Sequence, residues 1–159
     1  MRNHTAILGR ILISAIFLNS FYGKVSGFSG AKGYFANRLS EIGMNFGDSA
    51  GGMLTILLAA AAFIELAGGL SVLLGFKARM GAGSLFLFLV PTTLIFHSFW
   101  WPPAGLTPEA INGFHQMQMV NFMKNVAIMG GLLMIVANGS GGWSLDSLLC
   151  RKPDETLRG

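Results

Sequence analysis

Four apolar runs, at about residues 6–23, 53–76, 80–99 and 120–137, fill most of this 159-residue chain. A bilayer core about 30 Å thick takes roughly 20 apolar residues per helix, so each run meets or approaches the length of a membrane span. In lipid every backbone N–H and C=O must be satisfied inside the protein, and a helix does this within its own segment. The pattern therefore predicts an all-α fold, an integral membrane four-helix bundle. Composition agrees: 52% of the residues are hydrophobic, only 11% are charged and the mean hydropathy is +0.58, which is not the balance of a soluble domain. Four spans leave no room for a further module, so residues 1–159 are expected to form a single domain.

The first run has the basic start and apolar middle of a signal peptide, MRNHTAILGRILISAIFLNSFYG. It lacks an A-x-A-like cleavage site, Arg10 interrupts it, and the later spans need a partner helix. It is expected to be retained as span one. The formal charge of +4 and pI near 9.6 do not point to nucleic acid, because the basic residues form no run with interleaved aromatics. They point to topology. Arg2 and Arg10, Lys77 and Arg79, and Arg151, Lys152 and Arg158 all fall on one side if both termini do. Lys24, Lys32, Arg38 and Lys124 on the other side are offset by Glu41, Asp48 and Glu109, so both termini are expected in the cytoplasm. The single cysteine, Cys150, excludes an intrachain disulfide and a CxxC redox pair. It reads as an inert thiol in preference to a lipidation site.

Between the first two runs, Phe35, Leu39 and Ile42 recur at i, i+4 and i+7, with Asn37, Arg38 and Glu41 toward other faces. That period predicts a short amphipathic helix at the outer interface. After the third run, Trp100 and Trp101 mark the headgroup level, and Pro102 and Pro103 stop the helix. Thr107, Pro108 and Glu109 then read as N-cap, first-turn proline and first-turn acid of a helix that continues into span four.

Polar residues inside the runs carry the functional content. Glu65 stands in the apolar stretch AAAFIELAGGL, where an unpaired carboxylate costs at least about 2.5 to 3.5 kcal/mol. It is expected to face the bundle and pair with Arg10, either as a structural ion pair or as a proton relay. Near the outer end, His97 closes span three, while Gln118, Asn121 and Asn125 share one face of span four beside Lys124. These amides serve as interhelical hydrogen bonds on the plainer reading, at around 0.6 kcal/mol each. With His97, Lys124 and Trp100 alongside, they form a candidate ligand site for an anionic or quinone-like oxygen. His4, His97 and His115 lack metal-ligand spacing, and no metal site is expected. Gly68, Gly69, Gly130 and Gly131 read as helix-packing positions.

Taken together, GRILISAIFLNSFYGK, IELAGGLSVLLGFKAR, IFHSFW and NFMKNVAIMGGLLMI resemble, in order and spacing, the DoxX family of small four-helix bacterial membrane proteins. The resemblance runs from about Gly9 to Leu148. Arg10, Glu65, His97, Trp100, Lys124 and Asn125 match recurring positions of that family, which has no established catalytic assignment for them. The family is named alongside the membrane subunit of a thiosulfate:quinone oxidoreductase, and DoxX-type proteins occur in membrane redox complexes that handle sulfur stress. The resemblance thus implies a bacterial inner-membrane protein acting as an oxidoreductase subunit or partner. Quinone is the candidate cofactor, and lipid, redox proteins and further copies of the chain are the candidate partners. The missing cysteine pair departs from direct sulfur chemistry. A non-enzymatic adaptor or small-molecule carrier is the rival reading.

Overall fold

The computed structural model describes residues 2–44 and 50–149. Asp48, Cys150, Arg151, Lys152 and Arg158 lie outside the described residues. Regular structure among those described is entirely helical: α1 (Arg2–Ser26), α2 (Phe28–Glu41), α3 (Ala50–Leu74), α4 (Ala78–Phe96), α5 (Pro108–Asn138) and the single turn α6 (Leu145–Leu149). Of these, α1, α3, α4 and α5 are long and apolar enough to cross a membrane. The protein is a four-helix membrane bundle, with α2 as the short helix between its first two spans. Thr107 caps α5 by accepting a hydrogen bond from the Ala110 N–H, and Pro108 occupies the first turn, where a missing N–H costs nothing.

The spanning helices pack as an open arc, α1 on α3, α3 on α4 and α4 on α5, while α1 and α5 meet only sparsely. Small residues let the helices approach. A Cβ on Gly68 would lie 2.6 Å from Cγ of the fully buried Leu85, and one on Gly69 would lie 3.2 Å from Leu18. Around these contacts Phe17, Val72, Ala82, Leu85, Leu89, Ile128 and Leu132 form the core.

Both ends of α4 are closed by side chains from elsewhere in the chain. At its N-terminus the Asp146 carboxylate accepts the N–H groups of Lys77 and Ala78 at 2.7 and 3.2 Å. At its C-terminus the Arg38 guanidinium donates to the carbonyls of Ile95 (3.2 Å), Ser98 (3.0 Å) and Trp101 (3.3 Å). An anion at the start and a cation at the end both oppose the helix dipole. Arg38 is thereby buried, paired with Glu41 at 2.7 Å, instead of facing outward as the amphipathic pattern of α2 suggested. Free carbonyls at a helix end in a poorly hydrated region attract a guanidinium more strongly than the interface does.

Gly68→Ala is expected to destabilise the protein by roughly 1–3 kcal/mol, because Leu85 has no space to yield. Gly130→Ala, where an added Cβ meets nothing within 4 Å, should be neutral or slightly stabilising. Thermal unfolding of both variants in detergent checks the contrast.

Candidate ligand-binding cavity

The antiparallel register of α1 and α3 is set by one carboxylate. Glu65 Oε1 accepts from Ser20 Oγ at 2.9 Å, and the Lys24 ammonium reaches both carboxylate oxygens at 2.8 and 2.9 Å. Lys24 also donates to Ser20 Oγ at 2.8 Å, so all these partners stand on one face of α1 at i and i+4. Glu65 is 3% exposed and lies near the middle of the bundle's depth, level with the central turns of α4. A charge there is neutralised from within the protein or not at all.

The expected pairing of Glu65 with Arg10 does not form. If Ser20 stands opposite Glu65, antiparallel helices put Arg10 opposite Gly75, about ten residues or roughly 15 Å away along the axis. Arg10 instead donates to the carbonyls of Ser140 and Trp143 at 2.9 and 2.8 Å, and ties the segment after α5 to α1. It fills the space where Gly75, with its φ of 67°, carries no side chain. Lys24, counted as a loop charge on the sequence, belongs to α1 and turns inward. The signal for this was its i, i+4 spacing from Ser20 at the end of an apolar run.

Beside this pair lies a cavity of about 460 Å³ between α1, α3, α4 and α5. Lys24 and Glu65 lie on one side and His97, Lys124 and Asn125 on the other, with Phe17, Phe88, Leu89, Phe96 and Ile128 forming much of the apolar surface. Tyr34 and Phe35 of α2 close its end. The structure thus brings together His97, Lys124, Asn125 and Glu65. Gln118 is buried behind them and contacts His97 Nδ1 at 2.9 Å; Asn125 donates to Thr93 Oγ1 at 3.0 Å. Asn121 accepts from Lys124 Nζ at 3.0 Å without lining the cavity. Trp100 lies away from it, half exposed, with its ring 4.9 Å from Phe99 and 5.8 Å from Phe122. Arg10 is at the opposite end of the bundle.

Burial, followed by the nearby charges of Lys124 and Arg38, lowers the His97 pKa and outweighs its hydrogen bond to Gln118, so the ring is neutral near pH 7. With Gln118 Oε1 toward Nδ1, that nitrogen carries the proton and Nε2 is left as an acceptor. Burial likewise raises the Tyr34 phenol, which stays protonated. Lys124 has no carboxylate partner among the described residues, whereas Glu65 is already paired with Lys24. The cavity therefore has one exposed, uncompensated positive charge at its rim, and a neutral acceptor and several amide or hydroxyl groups on a largely apolar wall. No group of three His, Cys, Asp or Glu side chains among the described residues could hold a metal ion.

This architecture defines a multi-pass membrane protein with a largely apolar cavity, bordered by a few polar groups, at the edge of its bundle. Residues 5–98 match the DoxX family profile, and the chain belongs to that family. It is 30% identical over 146 residues to "Inner membrane protein YqjF" of Escherichia coli (strain K12), covering 92% of each chain. It is 29% identical over 141 residues to "Inner membrane protein YphA" of the same organism, covering 88% of this chain and 86% of that one. A shorter stretch of 76 residues is 34% identical to the "Surfeit locus protein 4 homolog" of Drosophila melanogaster, 47% of this chain and 26% of that protein. No solved structure matches.

Lys24→Met and Glu65→Gln are each expected to cost on the order of 3 kcal/mol, and the double variant less than their sum. Arg10→Met combined with Glu65→Gln should give additive losses. Denaturation of the three single and two double variants in detergent distinguishes the two pairings.

Proposed function

We propose that this protein binds a quinone-like molecule in the cavity and acts as a small subunit or partner of an inner-membrane redox complex. The observation that carries the reading is Lys124, an ammonium on a membrane-spanning helix, exposed at the rim of the cavity, with only the neutral Asn121 as hydrogen-bond partner. A cation at the rim of a largely apolar cavity favours an electron-rich oxygen. The neutral His97 Nε2 complements it as an acceptor for a hydroxyl, so a carbonyl of the quinone form meets a donor and a hydroxyl of the quinol form meets an acceptor. The cavity volume lies in the usual range for small-molecule sites, about 300–1,000 Å³. The names of the YqjF and YphA relatives support the inner membrane as location.

Residues 1–159 act as a single domain on this reading, with both termini cytoplasmic. The pairing of Lys24 with Glu65 inside the bundle removes one further cation from the count on the far side and supports that orientation. A reporter fused after Gly159 should be active only in the cytoplasm; periplasmic activity would refute the orientation.

Binding of a benzoquinone analogue to the purified protein in nanodiscs tests the site. Lys124→Met and His97→Phe, which keep bulk and remove the polar groups, are expected to weaken binding by roughly tenfold each, about 1.4 kcal/mol. Arg79→Met, on α4 near the other end of the bundle, should leave it unchanged. No binding to the wild type, or equal binding in every variant, would shift the choice to a non-redox adaptor or carrier.

A further inference from the structure

Resting on the reading that the cavity takes a quinone-like head, we infer that the ligand enters sideways from the bilayer, through the seam between α1 and α5. The ligand class is then a tailed amphiphile, whose oxygen-bearing head sits beside Lys124 while its hydrocarbon tail lies in the seam. A water-soluble ring arriving from the aqueous phase is not the physiological ligand on this inference.

The enclosure of the cavity leaves that side unsealed. Glu65 of α3 and Leu89, Thr92 and Phe96 of α4 close the back, and Tyr34 and Phe35 of α2 cover the end. Toward the other end of the bundle α1 and α5 come together, since a Cβ on Gly131 would lie 2.9 Å from Cδ1 of Ile13. Counting from that contact, antiparallel helices bring Ile16 opposite Ile128 and Ser20 opposite Lys124. These four residues all line the cavity, yet α1 and α5 make few contacts with each other. The helices therefore meet at Ile13 and part above it. Ile16 is 44% exposed at the opening, and Gly23 faces open space, with nothing within 4 Å of an added Cβ.

Asn19 supplies a second, independent sign. It lies on the exposed stripe of α1 with Leu8, Ile11, Leu12 and Ile16, all apolar, and it lines the cavity. Its amide has no hydrogen-bond partner among the described residues. An unpartnered amide turned to hydrocarbon is costly. At the mouth of a cavity that admits a polar head, the cost disappears. The charge at the mouth has the same sense: Lys124 stands across the seam from Ser20, where the head of an amphiphile would pass, and the apolar flanks suit its tail.

The test compares a decyl-tailed benzoquinone with the same ring lacking its tail, both measured on the full-length protein in nanodiscs. Gly23→Phe, which grows into open space at the mouth, is expected to weaken the tailed ligand about tenfold and the tail-less ring several-fold less. Ile16→Trp, at the other end of the opening, should likewise weaken the tailed ligand more than the tail-less ring. Gly130→Phe, on the exposed side of α5 and equally free of neighbours, should alter neither ligand. If both ligands bind the wild type and neither seam variant discriminates between them, the lateral route is overturned and the binding site stands. Failure of both rings to bind the wild type overturns the quinone reading and this inference together.

Discussion

A carboxylate at the middle of a membrane bundle has to find its counter-charge inside the protein, and the helix that supplies it is thereby fixed in register. Glu65 draws Ser20 and Lys24 from α1 alone. That choice sets Arg10 opposite Gly75, where a residue without a side chain leaves room for the guanidinium. Arg10 in turn holds the carbonyls of Ser140 and Trp143, which positions Asp146 over the start of α4. One buried ion pair and one buried arginine thus connect the first span to the last turn of the described chain. Replacing the pair by apolar residues could be tolerated energetically, but a single lost partner leaves a charge in a medium that cannot solvate it.

The same economy shapes the opposite end. Arg38 closes the carbonyl end of α4, also contacts the Phe114 ring on α5 with its guanidinium carbon 5.5 Å from the ring centre, and so anchors α2 across the bundle. With α2 held there, Tyr34 and Phe35 cover a space that α3 and α4 back and that α1 and α5 do not fully close. The cavity is a consequence of an arc of four helices whose first and last members part above Ile13 and Gly131. Its polar groups need no separate scaffold: Gln118 and Asn125 hold His97 and Thr93 through ordinary interhelical hydrogen bonds, and the same bonds pack α5 on α4. The plainer role of these amides and a role in orienting a ligand site are therefore compatible.

The sequence by itself determined the number and place of the spans, because hydrocarbon imposes a length and an apolarity that few other folds require. It also determined the start of α5, since Thr107 and Pro108 act locally, and the inward orientation of Glu65, since lipid does not tolerate the alternative. His97, Lys124 and Asn125 were legible as neighbours from their positions at the ends of consecutive antiparallel spans. The tertiary structure decided which charge meets which. Lys24, not Arg10, pairs with Glu65 because register along a helix is a matter of about 1.5 Å per residue, and a composition pattern carries no such ruler between helices. Arg38 looked like an interfacial residue until the open carbonyls of α4 were placed beside it. Asp146 and Asn19 gave no sign at all in the sequence, because capping another helix and bordering a cavity depend on partners far away along the chain.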